Sequence, residues 1–263
     1  MKLKHYLIAF SFLITFITNG QSNLQRGISL YQSKKYSEAI QLLNSVNEKS
    51  EDYAEARYYL GRIAYDKKLY NDAVDYFKEA SKANPKSGDY FNWLGDSYSA
   101  IGSTASMFTQ MSVGPKALKA WEKATELDPK NIRARVSLVD SYMMAPAFMG
   151  GGEDNAKKMA GEVFPLLEES FQNSSTNFLH HYWYGKIAAI TGLKLDKGEL
   201  SLEKYLTYTP QKGEPSLAGA NMRLGQIKEK QGNKAEAKKY YEAALKLDSK
   251  LESAQKGLER VSK

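Results

Sequence analysis

A spacing of small and large residues recurs along this chain, and it limits the possible folds more than any other feature. Leu60-Gly61 is followed at a distance of 12 residues by Ala73, then by Phe77, Ala80 and Pro85 at steps of 4, 3 and 5. The frame returns with Gly27, Ala39, Leu43 and Val46, and again with Leu94-Gly95, Tyr98, Ala117, Trp121, Ala124 and Pro129. Leu138 and Tyr142 open a fourth copy, Tyr184-Gly185 a fifth closed by Leu202, Tyr205 and Pro210, and Leu224-Gly225, Gly232, Ala237, Tyr241 and Ala244 form a sixth. Steps of three and four put these residues on one helical face. Gly and Ala fit where two helices approach closely, large apolar residues fill the neighbouring holes, and Pro ends the second helix because it cannot extend the hydrogen-bond ladder. A self-similar period of this length means stacked supersecondary units, none able to bury its apolar face alone.

Helix, turn and helix with Leu-Gly in the first helix and Ala, large, Ala, Pro in the second resembles the tetratricopeptide-repeat family. The resemblance covers about residues 23–250 and is most specific in Met222–Leu247 (MRLGQIKEKQGNKAEAKKYYEAALKL). It implies an all-α, right-handed superhelix of six units, about 23–52, 54–87, 88–131, 132–176, 178–212 and 218–250. The apolar steps Leu251, Ala254, Leu258 and Val261 predict a capping helix over 251–263. Residues 21–263 are then one solenoid domain. The motif residues themselves are packing residues and carry no partner information.

Lys2, Lys4 and His5 precede an uncharged apolar run from Tyr6 to Thr18, with small Thr18 and Gly20 after it. That run is shorter than the roughly 20 residues needed to span a bilayer. Residues 1–20 therefore read as a signal peptide cut near Gly20, which predicts export to the periplasm or the exterior. The alternative is an uncleaved anchor. No cysteine exists in the 263 residues, which excludes disulfides, thiolate metal sites and a lipid-modified start.

The net charge is +7, and Asn221–Lys263 alone holds eleven Lys/Arg against six Asp/Glu. A nucleic-acid binder should carry its charge along a binding surface. Charge gathered at one end fits peripheral contact with an anionic envelope surface instead.

The resemblance also implies where a partner binds. Positions 2, 5, 9, 12 and 13 of each first helix line the family's concave face. In this chain they include Tyr58, Arg62 and Tyr65, then Asn92 and Asp96, Arg133 and Asp140, Tyr182 and Lys186, and Gln226. Tyr, Arg, Asn and Asp together suit hydrogen bonding to an extended peptide or a partner helix. They do not reproduce the Lys/Asn/Arg clamp by which some members hold a C-terminal carboxylate.

The frame breaks twice. Ten extra residues fall at about Ser103–Ser112 (STASMFTQMS), and Met143–Asn155 (MMAPAFMGGGEDN) replaces a turn. Insertions in repeat proteins map to loops on one face, so the two should be neighbours. They hold Met107, Phe108, Met111, Met143, Met144, Phe148 and Met149. Methionine suits adaptable contact surfaces and gap filling alike. The loops therefore form either a lid or pocket wall, or a self-packed cluster.

Other features read as structure. Gly150-Gly151-Gly152 is followed by Glu153 and Asp154, which complement a helix start and repel an anion. His180-His181 point about 100° apart on a helix and cannot share one metal ion from it. A thioether copper site among the methionines lacks any His or Cys partner. No serine elbow, P-loop, dinucleotide fingerprint or zinc pattern occurs. These observations predict a non-enzymatic scaffold without cofactor or metal, binding a protein or peptide and no nucleic acid. The alternatives are an envelope-associated assembly factor, and a small-ligand binder or enzyme using the inserted loops.

Overall fold

The computed structural model describes residues 22–103, 105–174 and 176–263; the apolar run and the expected cleavage site lie outside them. Among the described residues thirteen α-helices follow one another: α1 (Asn23–Gln32), α2 (Tyr36–Asn44), α3 (Tyr53–Asp66), α4 (Tyr70–Ala83), α5 (Gly88–Ser103), α6 (Met107–Leu127), α7 (Ile132–Met144), α8 (Glu153–Asn173), α9 (Phe178–Thr191), α10 (Leu195–Leu206), α11 (Leu217–Lys230), α12 (Lys234–Leu247) and α13 (Glu252–Val261). A single 3₁₀ turn, Ala147–Met149, precedes α8. No strand occurs among the described residues.

Local chemistry sets these boundaries. Asn131, Asn177, Ser216 and Asn233 each accept from the backbone N–H three residues on, the N-cap bond that satisfies an orphan donor. Asn84, Asp128 and Asp248 end second helices and accept from the N–H two residues later, which turns the chain towards the next unit.

Six helix pairs result, and α13 packs against both α11 and α12. Within a pair, the recurring glycine lets a large residue of the second helix lie against the first. A Cβ on Gly61 would stand 2.7 Å from the Phe77 ring, one on Gly95 2.6 Å from Trp121, and one on Gly225 2.6 Å from Tyr241. Gly27 with Leu43 and Gly185 with Leu202 repeat the contact. The fourth pair inverts it: Val139 stands at the glycine position and Ala160 at the large one, both fully buried in one cluster. Total volume is conserved by the exchange.

The first helices α1, α3, α5, α7, α9 and α11 each adjoin the next, whereas the second helices make no comparable contact with one another among the described residues. A double layer whose one side touches itself is curved, with that side inside. The molecule is thus an α-solenoid with the first helices on the inner face.

One expectation about the insertions is corrected. Most of the stretch Ser103–Ser112 is helix rather than loop. It lengthens α5 to Ser103 and starts α6 at Met107, well before Pro115. Met, Phe, Thr and Gln continue a helix readily, and the Ser106 and Ala105 carbonyls accept from the Gln110 backbone and side chain. Pro115 therefore lies inside α6, where it has no N–H to donate to the Met111 carbonyl one turn earlier. The other insertion is a tight turn: Gly151 and Gly152 donate to the Pro146 and Tyr142 carbonyls, and Gly150 and Gly152 take φ of 86° and 114°.

Candidate functional site

Six of the expected groove residues meet around a side chain that the sequence reading did not select. Trp93 projects from α5, and the guanidinium carbons of Arg62 (α3) and Arg133 (α7) each lie 3.9 Å from its ring centroid. Tyr65 meets the same indole edge-on at 5.2 Å. Tyr58 accepts from Arg62 Nη1 at 2.8 Å and packs 5.1 Å from Tyr90. Tyr31 of α1 extends the aromatic surface beneath Arg62. Burial pushes its hydroxyl up to about 12 against the pull of Arg62.

Beneath the cations lies Asp96, 8% exposed. Its carboxylate accepts from Trp121 Nε1 at 2.9 Å and from Asn92 Nδ2 at 3.4 Å, and pairs with Arg133 Nη2 at 2.7 Å. Burial pushes its pKa up, and Arg133 and Trp121 oppose that. Asn92 Oδ1 and Arg62 Nε are buried and find no hydrogen-bond partner among the described residues. Asn92 itself is 2% exposed.

The other four groove residues lie further along the inner layer and are engaged internally. Lys186 pairs with Asp140. Tyr182 packs 5.1 Å from Tyr205. Gln226 accepts from Arg223 at 2.9 Å. Beyond them, Glu168 takes bonds from Tyr184, Lys194 and Lys197. Burial pushes the Glu168 carboxyl up, but these three donors outweigh it and hold it at about 2.

The inserted residues are brought neither into this site nor into a buried cluster. Met107 is 75% exposed, Phe108 86% and Phe148 84%; Met111 and Met144 are exposed too. Self-packing of the two insertions is therefore overturned. Met143 rests against the core and Met149 is half-buried. The second insertion lies against the later part of α6: a Cβ on Gly150 would lie 3.3 Å from Leu118, seven residues after Met111. His180 Nδ1 meets Ser170 Oγ at 2.8 Å, and the His181 ring stacks on Phe171 at 4.1 Å.

A curved helical layer with a cation–aromatic cluster on its inner side defines a protein-interaction scaffold of the helical-repeat class. Residues 30–94 and 218–251 match family models described as tetratricopeptide repeat. These two stretches are tetratricopeptide repeats, and the fold around them is an α-solenoid of that kind. Comparison with curated proteins finds no match. Among solved structures, the chain is similar to PilW, described as a widely conserved type IV pilus biogenesis factor, at 15% identity over 90% of this chain and 96% of that one, with a TM-score of 0.55. It is similar to PilF of Pseudomonas aeruginosa at 12% identity over 89% and 94%, with a TM-score of 0.57. The assembly chaperone of RpL4 aligns at 12% identity over 91% and 94%, with a TM-score of 0.53. At these identities the likeness is one of fold.

Proposed function

We propose that this chain is a non-enzymatic scaffold, exported to the cell envelope, that binds an extended peptide or partner protein along its inner helical face. The observation that carries this reading is the cluster on the first helices of three successive units, in which Arg62, Arg133 and Tyr65 pack on Trp93 and Tyr58, Asn92 and Asp96 bond to those residues or to one another. Stacked guanidinium groups keep their edges free to donate, and the aromatic wall supplies flat apolar area. Arg133, with 41% of its side chain exposed, forms the outer layer of the site. A partner that displaces it gains access to the Asp96 carboxylate with which it pairs. The exposed edge formed by Met107, Phe108, Met111 and Phe148 adds an adaptable apolar contact beyond this face.

Envelope location rests on the basic and apolar segment over residues 1–20, read as a removed signal, with 21–263 as the mature scaffold. No described helix is long and apolar enough to cross a membrane.

The test places a photo-crosslinking amino acid at Tyr65, at Tyr182 or at the outer position Lys82 in the native cells. Crosslinked partners at the inner positions and none at Lys82 are expected. Equal labelling at all three sites, or none at the inner ones, sinks the inner-face reading. Mass spectrometry of the mature N-terminus should find a start near Gln21, and an intact Met1 start overturns cleavage.

A further inference from the structure

The outer side of the third unit carries a second feature. Phe91, Leu94, Tyr98 and Ile101 recur on α5 at steps of 3, 4 and 3, an apolar stripe on the side opposite Asn92 and Asp96, and Ala105 follows beyond the helix end. In an ordinary core helix such a stripe is covered. Here α4 and α6 stand apart over it, and Phe91, Tyr98, Ile101 and Ala105 are all partly open to solvent. Two hollows follow one another along the stripe. One of about 610 Å³ is lined by Phe91, Leu94, Tyr98 and Ala120. The next, of about 380 Å³, lies between Leu69, Tyr70, Ile101 and Ala105.

The banks are charged. Lys78 of α4 and Lys116 of α6 approach the Tyr98 ring from two helices, at 6.0 and 5.9 Å. Lys119 and Lys123 continue the α6 bank, and Lys68 lies at the far end. The acids nearby are Asp72, Asp75, Glu122 and Glu126. Glu126 pairs with Lys123 at 2.6 Å, Asp75 with Lys78 at 3.6 Å, and Glu122 accepts from Tyr142 at 3.1 Å. Lys116 and Lys119 have no carboxylate partner within ion-pair distance among the described residues.

We propose that this channel docks an amphipathic α-helix of a partner protein, apolar where it meets α5 and carrying a carboxylate opposite Tyr98. From Phe91 to Ile101 the stripe runs about 15 Å, the length of about three helical turns. Its steps of three and four match those of an incoming helix laid in a groove. The two converging ammonium groups select a carboxylate at mid-groove. A flat bilayer does not reach a floor set between two helical ridges, and the acids on the banks repel a continuous polyanion.

The probe is a fluorescein-labelled, stapled 16-residue helix with leucines at steps of three and four and glutamates on its flanks. A second version carries glutamine for every glutamate. Fluorescence anisotropy should show saturable binding of the first and markedly weaker binding of the second. The Lys78→Glu/Lys116→Glu variant, whose sites are exposed and whose fold circular dichroism verifies, should bind about tenfold more weakly. The Lys238→Glu/Lys239→Glu variant makes the same charge change on α12 and should bind like the unaltered chain. The proposal is overturned by equal binding of both peptides, by equal losses in both variants, or by no saturable binding of the acidic helix. Capture by phosphatidylserine vesicles that depends on Lys78 and Lys116, without peptide binding, also overturns it and assigns the channel to lipid.

Discussion

Trp93 and Trp183 occupy the same repeat position, two residues before the glycine of their first helix, yet their surroundings differ. Trp93 is buried under two guanidinium groups, beside Tyr65 and Phe77. Trp183 is half-buried, with the His180 ring 5.2 Å away. The flanking units make the difference. The units on either side of Trp93 present Arg62 and Arg133. Those beside Trp183 present Asp140, already taken by Lys186, and Gln226, already bonded to Arg223. Repeat position fixes how a side chain packs, and what its neighbours place beside it decides whether that part of the inner face is left chemically open.

The sharpest test of that contrast removes each indole. Trp93→Ala should lower unfolding stability by about 3–5 kcal/mol, the usual cost of deleting a large buried aromatic. Trp183→Ala should cost about 1–3 kcal/mol, because its ring is already partly in water. Urea midpoints read both. Equal losses break the comparison.

A smaller effect separates the two inner-face ion pairs. Arg133→Ala leaves the buried Asp96 carboxylate with only Trp121 and Asn92 as donors, and should cost about 1–3 kcal/mol. Lys186→Ala removes a pair whose two members both keep some exposure, and should cost under about 1 kcal/mol. Adding Asp96→Asn to Arg133→Ala should recover part of the loss, since it removes the stranded charge. No recovery locates the effect of Arg133 in its stacking on Trp93.

Acid should act on the two halves with opposite sign. Glu168 is held at about 2, below the ordinary carboxylate value of about 4.3. A depressed folded pKa stabilises above the unfolded value, and that contribution disappears as pH falls from about 4.5 towards 2. Asp96 lies on the other side: its raised pKa means that ionisation costs folding stability, and protonation relieves that cost. Glu168→Gln should flatten the acid limb of the stability curve and Asp96→Asn should steepen it. Hydrogen exchange resolved by helix should place the first change in α8–α10 and the second in α5–α7. Changes of one sign at both sites count against the assignment.

The small–large pairs were legible because a glycine 12 residues before an alanine reports a contact inside one unit. Gly61 with Phe77 and Gly225 with Tyr241 needed no long-range information. The Trp93 cluster was legible in part: Arg62, Asn92, Asp96 and Arg133 followed from their repeat positions, but Trp93 sits one position past the groove frame. Tryptophan flanked by groove arginines in the preceding and following units was the available signal. That Asp140 and Lys186 neutralise each other depends on two side chains 46 residues apart, which spacing within one unit does not report. In the insertion at Ser103–Ser112 surplus length alone does not distinguish a loop from an extended helix, and its residues form helix as readily as the motif that follows.

That insertion supplies the smallest expected effect on stability. Phe108→Ser and Met107→Ser remove apolar side chains that are already mostly in water, so folding should change by no more than about 0.5 kcal/mol. Burying such side chains against a partner would remove roughly 1.5–3 kcal/mol worth of apolar surface each from water, an effect felt only in the complex. The pair Phe108→Ser/Phe148→Ser should therefore leave the urea midpoint unchanged while reducing capture of whatever crosslinks at Tyr65. A shifted midpoint means that these side chains support the fold after all. An unchanged midpoint with unchanged capture removes the inserted edge from the contact surface and leaves recognition to the cluster around Trp93.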